Sequence, residues 1–185
     1  MARVSPIGKD KLPDALHDLW DQFTQGERDF TNQAGALAHS PETFAHLYGL
    51  VVAMRAHSSL SERLVEIAVV TTSKLNECPY CVAHHSVALE RTGLPAESVK
   101  AILESDVPGF SAMELLVRDY ARLLVERPWG IGDGFHDELR RHFSERQIVE
   151  LTIRVGLCAL FNTFNQALDI PMEESFLEAP DAGKA

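Results

Sequence analysis

The sequence contains one closely spaced pair of cysteines, Cys78 and Cys81, in the tetrapeptide CPYC. Pro79 lies between them and favours the first turn of an α-helix, so the motif is predicted to start a helix. Backbone N–H groups at a helix start stabilise a thiolate and can lower a cysteine pKa from about 8.5 to about 3.5–7.5 in such motifs. The spacing also brings both sulfurs to one side of the first turn, close enough for a reversible disulfide. The pair therefore indicates redox chemistry.

Two further residues could serve this pair. His85 follows Cys81 by four residues, so it shares a helical face with Cys81 and can exchange a proton with a thiol near neutral pH. Glu66 lies in the apolar segment LVEIAVV, where a buried carboxylate needs a partner or has a raised pKa. A helix could equally turn Glu66 to solvent beside Glu62 and Ser73. The residues alone leave both positions open.

Other interpretations of the cysteine pair are half of a zinc site, or two small apolar residues in a core. A structural zinc site needs four converging ligands, and no second Cys/His pair occurs at zinc-finger spacing. His84 and His85 are neighbours that point in different directions, so we expect no metal and expect His84 to be structural or solvent-facing. Cys158, inside an apolar segment, is expected to be a buried, inert packing residue.

The elements that position these residues are predicted to be helices. Apolar residues recur at three- and four-residue spacing, and no alternating run is long enough to build a sheet, so the predicted fold class is all-α. CPYC is also the tetrapeptide of glutaredoxins, but a thioredoxin-like domain places it after a strand. The prediction is a bundle of about seven or eight helices, over approximately 13–23, 41–57, 61–75, 78–93, 94–104, 111–128, 135–143 and 145–168.

Composition limits the classes of partner. With 185 residues, 45% of them apolar and 24% charged, the chain is predicted to be a single globular domain over 1–185. A net charge of -10 argues against nucleic acid and against an anionic membrane surface. The longest unbroken apolar stretch, 155–161, is far shorter than the roughly 20 residues of a membrane span, so no transmembrane helix is expected. The first ten residues lack the apolar core of a signal peptide, and the expected location is the cytoplasm.

Two further expectations concern the last predicted helix and the residues that follow it. The middle of 145–168 is apolar on nearly every side, more than a small domain can bury, so a second subunit is expected to cover part of it. Residues 172–185 are acidic and small and are expected to fray.

Together, Glu66, CPYC and His85 resemble the Glu-x11-Cys-x-x-Cys-x3-His signature of the alkylhydroperoxidase D branch of the carboxymuconolactone decarboxylase superfamily. The flanking LAHSPETFAHLYGLVVAM and FNTFNQALDIP are similar to its peroxidase-related subgroup, so the resemblance covers about 35–171. It implies that Glu66 belongs to the site. It also implies an all-helical domain with its core over 35–171 that assembles into trimers or hexamers.

The resemblance implies a role for each residue. Cys81 would be the peroxidatic thiol, Cys78 the resolving thiol, and Glu66 with His85 a relay that draws the proton from Cys81. The position of Tyr80 is a further histidine in the best-studied members, and tyrosine, with a pKa near 10, is a poor base. The helix dipole alone predicts the opposite assignment, because Cys78 is nearer the start of the helix and would have the lower pKa of the two thiols.

The activity implied is that of a thiol-dependent peroxidase without metal, flavin or other cofactor. Its partners would be a small hydroperoxide and an external dithiol or thioredoxin-like reductant. Two alternatives stay open at this point. One is a lyase like the decarboxylases that name the superfamily, which act on a lactone acid without a cysteine pair. The other is a non-enzymatic thiol sensor whose disulfide changes its assembly.

Overall fold

The computed structural model describes residues 2–25 and 29–177. Helices make up 72% of these residues and no strand occurs among them, so the all-α prediction is confirmed. The chain divides into two compact units. Among the described residues, one unit contains 2–25, 29–57 and 164–177, and the other is Ser58–Thr163.

Ten α-helices occur among the described residues, eight of them with seven or more residues. In chain order they are α1 (His17–Thr24), α2 (Thr31–Leu37), α3 (Pro41–Ala56), α4 (Glu62–Leu75), α5 (Pro79–Arg91), α6 (Ala96–Lys100), α7 (Ala112–Glu126), α8 (Asp133–His142), α9 (Glu145–Leu168) and α10 (Glu174–Leu177). Short 3-10 turns lie at Lys9–Lys11, Asp14–Leu16 and Pro128–Gly130. The bounds of α9 match the prediction at both ends, whereas α2 and α10 were not predicted.

An aromatic cluster forms the core of the first unit. Phe23 stacks on Tyr48 with ring centroids 3.8 Å apart, and Tyr48 meets Phe44 at 4.8 Å. The Tyr48 hydroxyl donates to Gln33 Oε1 at 3.0 Å, and Gln33 donates in turn to Asn165 Oδ1 at 3.0 Å. The side chains of Tyr48, Gln33 and Asn165 thus form one hydrogen-bonded series inside the core, which offsets the cost of burying them.

Three details of this unit can be compared with the sequence. Ser40 followed by Pro41 predicts a helix start with the Ser40 hydroxyl as its cap. Ser40 does precede α3, but its hydroxyl contacts the Thr43 hydroxyl at 2.7 Å rather than capping a backbone N–H. Within the tail expected to fray, Glu173 is buried and accepts from the Asn32 N–H at 2.9 Å, so this part is packed. Residues 178–185, and Gly26 as the end of α1, lie outside the described residues.

The second unit is built around α4, which packs against both α5 and α7. Most of α4 after its first turn is buried, because apolar side chains cover several of its faces. Ser61 caps α4 by accepting from the Leu64 N–H at 3.4 Å, as the sequence predicts. Buried aliphatic side chains that form this core include Leu60, Leu64, Ile67, Val70, Leu89, Ile102, Val117, Leu139, Leu151 and Val155.

Helix α9 has an unusual composition. It is the one helix among residues 2–25 and 29–177 with the length and apolar content to cross a membrane, a test that core helices of soluble proteins also pass. Arg154, Asn162 and Asn165 are nevertheless buried on it. Polar side chains of this kind are the groups that a helix turns toward other protein rather than toward lipid.

A stability prediction follows from the start of α7. The Glu114 N–H donates to Ser111 Oγ at 3.3 Å and the Ser111 N–H donates to Glu114 Oε2 at 2.7 Å, which is the predicted capping box. We expect Ser111→Ala to lower the free energy of unfolding by about 1 kcal/mol, measured by urea unfolding. Ser111→Asn, which keeps a capping oxygen, should stay within about 0.5 kcal/mol of the wild type. Equal losses in both variants would contradict the capping role.

Candidate dithiol site

A short turn between α4 and α5 assembles the site in the second unit. Helix α4 ends at Leu75, and Glu77 takes a left-handed backbone conformation with φ 52°. The Cys78 N–H then donates to the Ser73 carbonyl at 2.9 Å, and Pro79 opens α5 as predicted. The turn folds α5 back along α4. Residues of the two helices that are far apart in sequence therefore lie next to each other.

Glu66 and His85 are joined by a hydrogen bond across these two helices. His85 Nδ1 lies 2.7 Å from Glu66 Oε2, and Glu66 is only 4% exposed. The structure thus decides the question that the sequence left open, because Glu66 faces the protein and has a partner there. An ionised carboxylate accepts from Nδ1–H, which leaves Nε2 of a neutral imidazole as the proton acceptor. The pair has the geometry of an oriented general base.

The two thiols of CPYC lie together at the start of α5. Cys78 is the N-cap residue, Cys81 is in the first turn, and both are buried as thiols rather than joined in a disulfide. The thiols of Cys81 and Cys78 lie close enough to interact with each other.

The electrostatics of Cys81 differ from the sequence prediction. The hydrogen bond with Cys78, burial and the neighbouring thiols of Cys78 and Cys158 raise the pKa of Cys81, while a hydrogen bond from Asn162 acts in the opposite direction. A helix start was expected to lower the pKa of this thiol. Burial and a proton shared between two sulfurs outweigh the helix start in the reduced protein.

A polar stripe on α9, which sequence reasoning missed, borders the site. Arg154, Cys158 and Asn162 follow one another at intervals of four residues, so they lie on one face of α9. Cys158 Sγ lies 3.3 Å from Ser73 Oγ, and burial raises the pKa of Cys158 to about 12. The predicted burial of Cys158 is confirmed. The spacing of three polar residues within an apolar helix was the signal available in the sequence.

Arg154 places a positive charge near the relay. Burial lowers the pKa of Arg154, and the nearby carboxylates of Glu150 and Glu66 act in the opposite direction. Arg154 lies 3.8 Å from Glu150, which is also held by the hydroxyls of Ser58 and Ser59. This cation compensates part of the cost of burying a second carboxylate, Glu66, in the same region.

His84 does not face solvent. It is buried, its Nδ1 lies 2.8 Å from the Tyr80 carbonyl oxygen, and its ring stacks on the Tyr80 ring at 4.4 Å. Both contacts are local to α5, so His84 and Tyr80 stabilise the helix that carries the cysteines. Among the residues that the structure describes, no group of three or more His, Cys, Asp or Glu side chains is placed to hold a metal ion.

Comparisons with known proteins find a matching family model and a curated relative. The model of the carboxymuconolactone decarboxylase family matches residues 39–119. The chain is 33% identical over 97 residues to the uncharacterized protein YnjA of Escherichia coli K12, a match that covers 52% of this chain and 53% of that protein. The chain therefore spans about half the length of this relative.

Solved structures share the fold over nearly the whole chain. A peroxidase-related protein from Ralstonia eutropha JMP134, described as an alkylhydroperoxidase AhpD core, has a TM-score of 0.80 at 23% identity, covering 95% of this chain and 94% of that one. The debrominase Bmp8 has a TM-score of 0.78 at 22% identity, covering 94% of each chain. These identities establish the shared all-helical fold.

A pH prediction follows from Cys158. Its raised pKa means that the folded protein holds this proton more tightly than the unfolded chain, so the stabilisation is complete below the unfolded pKa of about 8.5. It is lost as the pH rises from there toward the folded value of about 12. Between pH 9 and 10.5 we expect the reduced wild type to lose up to about 1.4 kcal/mol more unfolding free energy per pH unit than Cys158→Ser.

Urea unfolding at each pH, with reductant present, measures this difference. The other two cysteines are present in both proteins, so their contributions cancel in the comparison. Parallel pH dependences for wild type and Cys158→Ser would show that the thiol is not held as a buried neutral group.

Proposed function

We propose that the chain is a thiol-dependent peroxidase, because its Glu66, CPYC and His85 resemble the alkylhydroperoxidase D signature and the carboxymuconolactone decarboxylase family model matches residues 39–119. The observation that carries the proposal is the Glu66–His85 hydrogen bond, formed on the two helices that flank the buried CPYC dithiol. A structural cysteine pair would have no need of an oriented base beside it. The coarser assignment, a peroxidase-related or decarboxylase-type role, follows from the family itself.

The first step oxidises one thiol. His85 Nε2 takes the proton of Cys81, and Glu66 holds the ring and stabilises the imidazolium that forms. The thiolate attacks the terminal oxygen of a hydroperoxide, so an S–O bond forms while the O–O bond breaks. The departing alkoxide takes the proton from His85 and leaves as an alcohol, or as water when the substrate is hydrogen peroxide. Cys81 becomes a sulfenic acid.

The second step closes the dithiol. The Cys78 sulfur attacks the Cys81 sulfenic acid, a disulfide forms, and the hydroxyl group leaves with a proton as water. Two electrons have then passed from the two thiols to the peroxide. An external dithiol or thioredoxin-like protein returns them by thiol–disulfide exchange, so no resident cofactor takes part.

Because the pKa of Cys81 is raised, the proposed reaction needs a base that removes the thiol proton. In the reduced dithiol the Cys81 proton is held by burial and by the hydrogen bond with Cys78, so a base has to remove it before attack. His85 lies one helical turn beyond Cys81 on α5 and is the oriented base on that face. The opposite assignment, with Cys78 as the attacking thiol, is the alternative that cysteine variants separate.

Assembly and location are part of the same proposal. Val149, Ile153 and Leu160 of α9 are 57%, 45% and 43% exposed and follow one another at helical spacing, so they form an apolar stripe. We propose that a second copy of the chain covers this stripe in a trimer or hexamer. Thiols at the site fit a reducing compartment such as the cytoplasm, where such motifs are reactive rather than structural.

The peroxidase prediction concerns the products of the cysteines. With one equivalent of a hydroperoxide, mass spectrometry should show the wild type losing two hydrogens and joining Cys78 to Cys81. Cys78→Ser should retain a sulfenic acid at Cys81, and Cys81→Ser should not form one. With an external dithiol, His85→Ala should turn over at least about 100-fold more slowly at pH 7. The exposed His142 gives the matched control, since His142→Ala should leave turnover unchanged.

Each other reading has a distinct outcome. Sulfenic acid on Cys78 in the Cys81→Ser variant alone would reverse the two roles. A single oxidation without turnover would make the protein a sensor, and decarboxylation of a lactone acid would make it a lyase. Oxidation of the dithiol by a bromopyrrole, the ligand class bound by Bmp8, but not by hydroperoxides would move the substrate to halogenated compounds.

The assembly prediction concerns the mass in solution. Light scattering should give three or six times the 20.5 kDa of one chain. Ile153→Glu places a charge in the apolar stripe and should reduce the assembly to smaller species. Lys100→Glu, a charge change at an exposed residue of α6, should leave the mass unchanged. A monomeric wild type would refute the proposed assembly.

A further inference from the structure

Helix α4 ends in a Schellman motif whose last residue is Cys78. The Cys78 N–H donates to the Ser73 carbonyl at 2.9 Å, and the Glu77 N–H donates to the Lys74 carbonyl at 3.1 Å, which are the two backbone bonds of that motif. The left-handed residue of the motif is usually glycine, whereas here it is Glu77 with φ 52°. A side chain at that position costs free energy that glycine avoids, so this conformation depends on contacts from outside the turn.

The same turn starts the helix that carries the dithiol. Cys78 is the N-cap residue of α5, and its carbonyl accepts from the Val82 N–H at 3.0 Å. Cys78 therefore belongs to the end of one helix and to the start of the next. Residues three positions apart in a helical turn, as Cys78 and Cys81 are, lie at the separation that a disulfide requires. The conformation of the turn thus determines how one sulfur is presented to the other.

A pair of side-chain amides holds this turn from α9. Asn76, the C-cap residue of α4, donates from Nδ2 to Asn162 Oδ1 at 2.9 Å. Asn162 is only 1% exposed, and its Nδ2 donates to Ser73 Oγ at 3.3 Å. One buried amide of α9 therefore binds two residues at the end of α4, one of which also accepts the N–H of Cys78. We call Ser73, Asn76 and Asn162 the amide clamp.

We propose that the amide clamp positions the Cys78 sulfur for disulfide formation with Cys81. By holding the turn, the clamp raises the effective concentration of one sulfur at the other, because fewer conformations separate them. The inference rests on the proposed function, since it concerns the step in which the dithiol closes. It adds Asn76 and Asn162 to the site as positioning residues, and neither belongs to the family signature.

Equilibrium with glutathione measures this effective concentration without any hydroperoxide. One molecule of glutathione disulfide takes two electrons from the two thiols, so that Cys78 and Cys81 form a disulfide and two molecules of reduced glutathione carry away the two protons. Asn76→Ala should lower the equilibrium constant of this reaction about tenfold, which raises the reduction potential of the disulfide by about 30 mV. Alkylation of the remaining thiols and peptide mass spectrometry give the oxidised fraction in each buffer.

Two further variants separate positioning from a general loss of stability, which leaves the potential unchanged when it is equal in the reduced and oxidised proteins. Thr163→Ala, at the exposed neighbour of Asn162, should keep the wild-type potential. Asn162→Ala should raise the potential as Asn76→Ala does. The double variant should raise it no further than Asn162→Ala alone, because both substitutions break the same hydrogen bond.

The substitution Glu77→Gly provides a rescue. Glycine takes the left-handed conformation without a steric cost, so the turn depends less on the clamp. Adding Glu77→Gly to Asn76→Ala should therefore return the potential toward the wild-type value. If circular dichroism shows that Asn162→Ala loses its helices, Asn76→Ala carries the test, since Asn76 is only half-buried.

The remaining outcomes separate this inference from the peroxidase proposal. A potential of Asn76→Ala at or below the wild-type value overturns the inference, whether or not the protein turns over hydroperoxide. Additive shifts in the double variant also overturn it, because Asn76 and Asn162 would then act independently. A raised potential in a protein without hydroperoxide turnover supports the amide clamp and refutes the peroxidase proposal. A wild type that forms no Cys78–Cys81 disulfide in any glutathione buffer overturns both.

Discussion

A carboxylate buried among apolar side chains is the constraint on which the second unit depends. Glu66 lies on the helix at the centre of that unit, flanked in sequence by Val65 and Ile67, and its charge has to be balanced there. His85 supplies a hydrogen bond and Arg154 a positive charge. Each of these partners comes from a different helix, so satisfying one carboxylate fixes how α4, α5 and α9 are arranged. The contacts that balance the charge of Glu66 therefore also determine how the helices of this unit pack.

The dithiol shows a similar balance between burial and reactivity. Burial protects the two thiols, but it also makes the charged form of Cys81 expensive. The surrounding polar groups are arranged to offset that cost. His85, held by Glu66, is the residue that the proposed function uses to remove the proton of Cys81. Cys158 is also buried, but its contacts are with Ser73, Val69 and Asn162 rather than with His85.

Much of the architecture could be predicted from sequence because it depends on local signals. The Ser61 cap, the Ser111 capping box and Pro79 fixed the starts of α4, α7 and α5, and the apolar content of α9 gave its full length. The Glu66–His85 contact could be anticipated only through the family signature, since the residues alone left Glu66 undecided. The shift in the pKa of Cys81 and the contacts of Asn162 and Arg154 depend on burial and on the packing of helices against one another. Those properties exist only after the chain has folded.

The left-handed turn at Glu77 has a consequence for how this sequence can vary. Nineteen positions separate Glu66 from His85, and two helices joined by a very short turn span them. One residue added between Cys81 and His85 would rotate the imidazole by about 100° around the helix axis and carry it away from the carboxylate. Substitutions along this hairpin can be absorbed by repacking, whereas a change in its length cannot. A homologue that keeps all four side chains but alters their separation by a single residue would retain the fold and lose the hydrogen bond between Glu66 and His85.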